Sequence, residues 1–128
     1  MRPKQPVLTE HELEIMKVIW ERGSGATVRD VYEELLKTRR IAYTTVMTVM
    51  GVLEQKGRLK KTVTGRAYVY MPSQPQSEVV TGMVRDFVSR VFNGMSKPLL
   101  VSMLEDGKIT EEELDEVKKL LKEKRRKK

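Results

Sequence analysis

Apolar residues recur in the first half of the chain with the spacing of amphipathic helices. Thr9 and Glu12 have the spacing of a capping box, and Thr27 is placed to cap a second helix. Gly57 is suited to end a third helix, which lies in the stretch 41–57 and begins near Tyr43 or Thr44. The predicted buried stripes are Leu13, Met16, Ile19 and Trp20 in the first helix, Val28, Val31, Leu35 and Leu36 in the second, and Val46, Val49, Met50 and Leu53 in the third.

The pattern then changes to the alternation of β-strands. Segments 58–63 and 66–71 alternate apolar and polar residues, and Thr64-Gly65 is predicted to form the turn between them. Three helices followed by a two-stranded ribbon is the element order of a winged helix-turn-helix domain, with the ribbon as the wing. The predicted layout is a flexible arm at 1–8, a winged-helix domain at 9–72, a polar linker at 73–77, a helical domain at 78–123 and a basic tail at 124–128.

Three further amphipathic helices are predicted after the linker, with Ser96 and Thr110 as caps of the second and third. About 50 residues bury little core by themselves. This favours packing against a second copy and predicts a mainly α fold with a small β-wing and a three-helix C-terminal dimerisation domain. Folding back onto the winged domain is the alternative. The predicted dimer interface comprises Val80, Met83, Val84, Phe87, Val88, Val91, Leu99, Leu100, Met103, Leu104, Leu114, Val117, Leu120 and Leu121.

The outer face of the third helix is small and uncharged, unlike an ordinary solvated face with Lys and Glu. Thr44, Thr48, Gly51 and Gln55 lie on it. Such a face suits insertion into a DNA groove, where side chains read base edges. A second packing face is the alternative, because Thr and Gly also line helix–helix contacts. The predicted base-reading residues are Thr44, Thr45 and Thr48.

Positive charge is concentrated around this helix. The chain has 25 basic and 18 acidic residues, a net charge of +7, and segment 39–66 holds seven basic residues against Glu54. A focused basic patch indicates a polyanionic partner, here double-stranded DNA. Helix termination at Arg39 and Arg40 and a solvated turn at Arg66 are the alternatives. The predicted contacts to DNA backbone or minor groove are Arg39, Arg40, Tyr43, Lys56, Arg58, Lys60, Lys61 and Arg66.

Composition excludes several classes of function. The chain has no cysteine and one histidine, His11, which argues against thiolate zinc sites, disulfides and a His-based catalytic or metal centre. We expect no cofactor and no metal, and no enzymatic activity, because no nucleophile–base pair or paired carboxylates emerge. No apolar run approaches the roughly 20 residues that span a bilayer. The expectation is a cytoplasmic protein without membrane insertion.

Five segments together resemble the penicillinase repressor family, the BlaI/MecI/CopY group of bacterial winged-helix transcriptional repressors. They are LTEHELEIMKVIW, TVRDVYEEL, IAYTTVMTVMGVLEQKG, GRAYVYMP and the helical region after them. The resemblance implies a homodimer that represses transcription by occupying palindromic operators, with TACA/TGTA-type half-sites in several relatives. It implies base-reading positions at Thr44, Thr45 and Thr48 and a wing tip at Arg66. Met47 stands where some relatives have a basic residue.

The resemblance also bears on induction, and resistance or stress-response genes are the expected targets. In one branch of the family a membrane sensor protease triggers cutting at an Asn-Phe bond in the C-terminal domain. Ser102-Met103 occupies the aligned position here. The copper-responsive branch uses a cysteine motif that this chain lacks.

Two other functions stay open at this stage. A winged-helix module that binds protein rather than DNA would present acidic or apolar groups on the third helix. A repressor that responds to a small-molecule effector would need a pocket with buried polar groups, which the C-terminal helices do not suggest.

Overall fold

The computed structural model describes residues 7–127, so most of the predicted arm and Lys128 lie outside the described residues. The chain divides into two compact units, one ending at Met83 and one beginning at Val84. The elements are α1 (Glu10–Arg22), α2 (Val28–Leu36), α3 (Tyr43–Gln55), β1 (Leu59–Thr64), β2 (Ala67–Pro72), α4 (Gln76–Phe92), α5 (Ser96–Glu105) and α6 (Glu111–Arg126).

A capping box begins α1 as predicted, and α2 begins with one as well, where the sequence predicts only Thr27 as the cap. The Thr9 hydroxyl accepts a hydrogen bond from the Glu12 backbone N–H at 3.2 Å, and the Glu12 carboxylate accepts one from the Thr9 N–H at 2.9 Å. Thr27 and Asp30 repeat this exchange at 3.0 and 2.9 Å. These bonds satisfy N–H groups that a helix start otherwise leaves unpaired.

The core of the first unit lies between α1, α2, α3 and the base of the wing. Ile15 is buried, although the predicted stripe of α1 omits it, and Leu36 is 43% exposed, although its stripe predicts burial. Leu8 is also buried, so the folded unit includes a residue that the predicted layout assigns to the flexible arm. The buried apolar residues are Leu8, Ile15, Met16, Ile19, Ala26, Val31, Leu35, Val46, Met50, Leu53, Leu59, Tyr70 and Val79.

The wing is an antiparallel pair whose strands each begin and end one residue later than predicted. Thr64 lies opposite Ala67, so Gly65-Arg66 and not Thr64-Gly65 forms the two-residue turn. Its base is fixed by the turn between α1 and α2. Ala26 exchanges backbone hydrogen bonds with Tyr70 at 3.0 and 2.8 Å. Gly25 has φ +89°, and a Cβ there would lie 2.8 Å from Val69 Cγ1, so only glycine fits this close approach.

The predicted linker at 73–77 is part of the folded first unit. The Ser73 N–H donates to the Arg58 carbonyl at 3.0 Å, and the Trp20 indole donates to the Gln74 carbonyl at 3.1 Å. Helix α4 begins at Gln76 rather than 78, and Val79 is buried in the core of the first unit. The linker prediction is therefore wrong in position, because polar composition alone does not reveal these backbone contacts.

The second unit comprises the rest of α4 with α5 and α6, and neither α5 nor α6 has a buried residue. Thr110 and Glu113 form the predicted capping box of α6. Ser96 is the first residue of α5 and not its cap; Met95 holds the N-cap position and makes no side-chain cap bond. Among the described residues, no helix combines the length and apolar character needed to cross a membrane.

Candidate DNA-binding interface

Helix α3 is held by one face and exposed on the other. Val46, Met50 and Leu53 have no exposed surface and pack into the core of the first unit. The three predicted base-reading residues, Thr44, Thr45 and Thr48, are exposed. The burial pattern therefore separates the two faces of α3 as the sequence predicts, and the hydroxyls lie on its open side.

Gly51 continues this open face one turn beyond Thr48. Its backbone is helical, and no atom lies within 4 Å of the position that a Cβ would occupy. Glycine inside a helix is destabilising by roughly 0.5–1 kcal/mol relative to alanine. Neither the packing around Gly51 nor its φ angle requires glycine. A glycine would be required if the wall of a DNA groove came close to the helix at this position.

The beginning of α3 differs from the beginnings of α1, α2 and α6. Its N-cap, Ala42, offers no side-chain bond, and its first turn contains no acidic residue. The other three helices each begin with a capping box whose third residue is Asp or Glu. An uncapped, acid-free N-terminus keeps backbone N–H groups and the positive end of the helix dipole available to a phosphate.

Arg39, which precedes α3, is already paired with α1. Its guanidinium donates two hydrogen bonds to the Glu14 carboxylate, at 2.7 and 3.1 Å, and lies 3.1 Å from His11 Nδ1. The hydrogen bond and charge of Arg39 hold the pKa of Glu14 below its ordinary value. Arg39 therefore ties the end of α2 to α1, a role that the phosphate prediction does not include.

Lys56, which follows α3, is paired with α1 in the same way. Its ammonium donates to the Glu12 carboxylate at 2.8 Å, and Glu12 is only 3% exposed. Burial raises the pKa of Glu12, but the hydrogen bonds from Lys56 and Thr9 and the Lys56 charge outweigh it, so that this pKa lies below 4.5. Both ends of α3 are thus held by carboxylates of α1.

Arg58 is buried, with 8% of its surface exposed, and its guanidinium donates to the Gln74 side-chain carbonyl at 3.1 Å. The prediction of a DNA-backbone contact is wrong for this residue, because its side chain lies against the segment that leads into α4. The Gln74 amide donates in turn to Glu78 at 3.1 Å. Arg58 therefore joins the start of the wing to the start of α4.

Three of the cations predicted to contact the DNA backbone are not engaged in ion pairs with described residues. Arg40, Lys60 and Arg66 are exposed and have no ion pair with any described residue. Arg66 lies in the two-residue turn at the tip of the wing. Arg40 precedes α3 and Lys60 lies in β1, so the free cations flank the open face of α3 along the chain.

Lys61 contacts one residue of α3 and one of the wing. Its ammonium lies 3.6 Å from Glu54 and 4.6 Å from the ring centroid of Tyr68. Tyr43, the other predicted backbone contact, is 41% exposed, and its ring packs edge-on against Tyr32 with a centroid distance of 5.4 Å. Both residues keep exposed surface while a neighbour limits their orientation.

Sequence reasoning leaves three exposed apolar side chains out of the site. Met47 is 48% exposed and shares the open side of α3 with Thr44 and Thr48. On the wing, Val63 and Tyr68 face each other across the strands with 67% and 55% of their surfaces exposed. Apolar residues that a fold leaves exposed beside a basic surface suit contact with the thymine methyl group or with sugars. The alternation of apolar and polar residues identifies Val63 and Tyr68 as apolar strand positions. It does not reveal that these side chains are exposed.

The described residues contain no group of three or more His, Cys, Asp or Glu side chains that would hold a metal ion. A shallow groove of about 610 Å³ lies between α1 and α2, lined by charged residues that include Glu14, Lys17 and Arg39. Arg39 and Glu14 pair with each other there, so neither of these two charges is free for a ligand.

Comparison with known proteins agrees with this geometry. Residues 8–123 match the family model described as Penicillinase repressor. The chain is 33% identical over 120 residues to the penicillinase repressor of Bacillus licheniformis, which covers 94% of this chain and 93% of that protein. It is 32% identical over 117 residues to the transcriptional regulator BlaI of Mycobacterium tuberculosis (strain H37Rv), which covers 91% of this chain and 83% of that protein.

Two solved structures match the winged-helix part. One is the solution structure of Bacillus licheniformis BlaI, in monomeric form, in complex with the blaP half-operator; its identity is 37%, its TM-score 0.50, and the match covers 59% of this chain and 90% of that one. The other is the DNA-binding domain of the repressor BlaI, with 36% identity, a TM-score of 0.52, and coverage of 60% and 93%. The chain belongs to the penicillinase repressor family, whose members are transcriptional repressors and not enzymes.

Proposed function

We propose that this protein is a DNA-binding transcriptional repressor that occupies palindromic operators as a homodimer in the cytoplasm. The observation that carries the proposal is the exposed, uncharged face of α3, which no other part of the first unit covers. That face lies between unpaired cations in the chain, and its helix begins without a cap or an acid. The BlaI relative bound to the blaP half-operator supports the same assignment. An interaction module without DNA would present mainly acidic or apolar groups there. The open face instead carries the hydroxyls of Thr44, Thr45 and Thr48 beside Met47, and Glu54 at its edge pairs with Lys61.

Base reading is assigned to Thr44, Thr45 and Thr48, whose hydroxyls donate to or accept from base edges and whose methyl groups suit the thymine methyl. Replacing Thr48 with alanine should relax base preference at one position of each half-site, at about 1–3 kcal/mol if the hydroxyl makes a base contact. Thr81→Ala, at an exposed position of α4, is the matched control. Gel-shift titrations of both variants on the operator and on single-base variants of it measure the effect. Equal behaviour of the two variants would remove Thr48 from the reading face.

Backbone contact is assigned to the unpaired cations Arg40, Lys60 and Arg66. Each phosphate contact contributes about 0.9 to the slope of log affinity against log salt concentration. Arg66→Ala should therefore weaken binding to many sequences and flatten this slope. Arg58→Ala should leave the slope unchanged while destabilising the fold, because its guanidinium is buried and bound to Gln74.

Dimerisation is assigned to the exposed apolar surface of α4, α5 and α6. Leu120 is 63% exposed, Val117 57% and Val91 54% within the single chain. Apolar side chains that are exposed together on three helices indicate a surface that a partner covers. Met83 departs from the predicted interface, since it packs partly buried against the core of the first unit. A two-fold dimer presents two copies of α3 to the two halves of a palindrome.

Proteolytic induction would act at the Ser102–Met103 bond. Both residues are exposed, but the bond lies inside α5, where the Ser102 and Met103 carbonyls accept backbone hydrogen bonds at 3.1 and 2.9 Å. A protease triggered by a membrane sensor therefore needs this end of α5 to unfold first. Mass spectrometry of the chain recovered from induced cells would locate the cut, and an intact chain in derepressed cells would exclude this route.

A further inference from the structure

The end of α6 carries a basic surface that the repressor function does not account for. At 3.6 residues per turn, five basic residues fall within about 120° of the helix circumference. All five are exposed. We call this surface the basic face of α6, and it comprises Lys118, Lys119, Lys122, Arg125 and Arg126.

Lys122 shows how far the charges are concentrated. Positions three and four residues away on either side are all basic: Lys118, Lys119, Arg125 and Arg126. Side chains with these spacings are neighbours on a helix, and like charges there destabilise it. The sequence of α6 therefore maintains a charge arrangement that works against the helix itself.

The same chain pairs its helical charges elsewhere. Arg29 pairs with Glu33 at 3.5 Å, and Arg90 with Asp86 at 2.9 Å, both four residues apart. Within the described part of the chain, no residue of the basic face of α6 has an ion pair. Interaction with the helix dipole explains basic residues in the last turn, but Lys118 and Lys119 lie about two turns before the end. They follow Asp115 by three and four residues, yet neither forms an ion pair with it.

We propose that the basic face of α6 is a second, sequence-independent surface for the backbone of double-stranded DNA. Lys118, Lys122 and Arg126 form a row with a spacing of about 6 Å and a length of about 12 Å, from the rise of 1.5 Å per residue. One DNA strand carries a phosphate about every 3.4 Å along the helix axis. Because the strand winds around that axis while the row is straight, each of the three side chains meets at most one phosphate.

This surface adds non-specific affinity to the specific binding of α3. Lysine and arginine contacts to phosphate release counterions and carry no sequence information. A repressor that binds any duplex weakly through α6 can reach its operator by moving along DNA to which it is already bound, instead of by diffusing freely in solution. The inference rests on the proposed function for the identity of its partner, but the two fail in different measurements, since operator preference reports α3 and salt dependence on unrelated duplex reports α6.

The test compares two triple variants of the full-length protein with equal net charge. One is Lys118→Gln/Lys122→Gln/Arg126→Gln, and the other is Lys97→Gln/Lys108→Gln/Lys127→Gln, which removes three exposed cations of the same unit outside the basic face. Fluorescence anisotropy on a scrambled duplex over a range of salt concentrations gives the slope. The first variant should lower the slope by about 0.9 for each phosphate that it no longer neutralises, or up to about 2.7 per chain. The control should keep the wild-type slope.

Two readouts keep the result interpretable. The first variant removes like-charge neighbours but also the favourable charge of Arg126 in the last turn, so its helix content by circular dichroism and its melting temperature should stay close to those of the wild type. Reduced DNA binding by such a variant is not a folding defect. Equal slopes for the wild type and both variants would overturn the proposal. So would binding of the wild type, but not of the first variant, to phosphatidylglycerol vesicles with unchanged DNA binding, because the face would then serve a membrane surface.

Discussion

The two units of the chain use the same kind of amphipathic helix with different results. In the first unit, the apolar stripes of α1, α2 and α3 meet one another, and Ile19, Val46 and Met50 lose all their exposed surface. In the second unit, α5 and α6 carry comparable stripes but have no buried residue. An amphipathic stripe thus predicts that a surface will be covered, but it does not say whether the same chain or a second copy covers it.

The comparison also explains where charge is placed. In the first unit, Glu12 and Glu14 neutralise the cations on either side of α3 and leave its face uncharged. On α6 acids fill the first turn and cations the last turn, with Asp115, Glu116 and Glu123 between them. In both units some charges pair within the fold, while the cations proposed to meet DNA have no ion pair with any described residue.

The largest expected effect is loss of stability from the core of the first unit. Ile19→Ala should lower the free energy of unfolding by about 2–5 kcal/mol, because the side chain is completely buried. Leu120→Ala, at a residue 63% exposed, should change the stability of the isolated monomer little. Urea denaturation at low protein concentration measures both. Similar losses for the two variants would mean that the second unit buries Leu120 within one chain.

The second effect concerns association. Leu120→Asp introduces a charge into the apolar stripe of α6 and should convert the dimer into monomers, as measured by sedimentation velocity. Because dimer stability depends on protein concentration, the melting temperature of the wild type should rise with concentration, and that of the variant should not. The control is Asp115→Asn, at an exposed position on the side of α6 opposite the stripe. A Leu120→Asp variant that sediments as a dimer would contradict the assigned interface.

The third effect tests the ties between α1 and α3. Glu12→Gln should destabilise the first unit by about 1–3 kcal/mol, since Lys56 loses a charged hydrogen bond to a buried carboxylate. The folded-state pKa of Glu12 lies below 4.5, so its stabilisation is present above that pH and is lost as pH falls through the folded-state pKa. Denaturation between pH 7 and pH 3 should show the two proteins converging in acid. A constant difference across this range would show that the charge of Glu12 is not what stabilises the fold.

The smallest effect separates folding from binding on α3. Gly51→Ala should stabilise the first unit by about 0.5–1 kcal/mol, because the position is helical and a Cβ meets no atom within 4 Å. The same methyl group should lower operator affinity if the groove wall approaches the helix there. Thermal melts and gel shifts on one preparation measure both. Higher stability with unchanged affinity would place the DNA away from Gly51.

Local patterns predict most of the fold. The capping boxes at Thr9 and Thr27, the stripe of α3 and the alternation of the wing all depend on residues close in sequence, where spacing is informative. Contacts between distant residues are not predictable in this way. Lys56 pairs with Glu12 across 44 positions, and Arg58 reaches Gln74 across 16, so both look like free cations in the sequence.

The exposed hydroxyl face of α3 is predictable because its composition is unusual for a solvated helix. Met47 and Tyr68 escape prediction as site residues because an apolar residue is normally expected to be buried, and only the fold reveals that these two are not. The early start of α4 escapes prediction for a related reason, since Val79 packs against helices that lie far away in the sequence.

The central claim is that two copies of α3, held by dimerised second units, read a palindrome. Selection of bound duplexes from a random pool, followed by sequencing, tests it most directly. The wild-type dimer should enrich an inverted repeat. The centres of its two half-sites should lie one helical turn of DNA apart, roughly 10–10.5 base pairs, or a multiple of that distance. The Leu120→Asp variant should enrich single half-sites. Absence of any enriched sequence, or enrichment of a single non-repeated site by the wild type, would contradict the account.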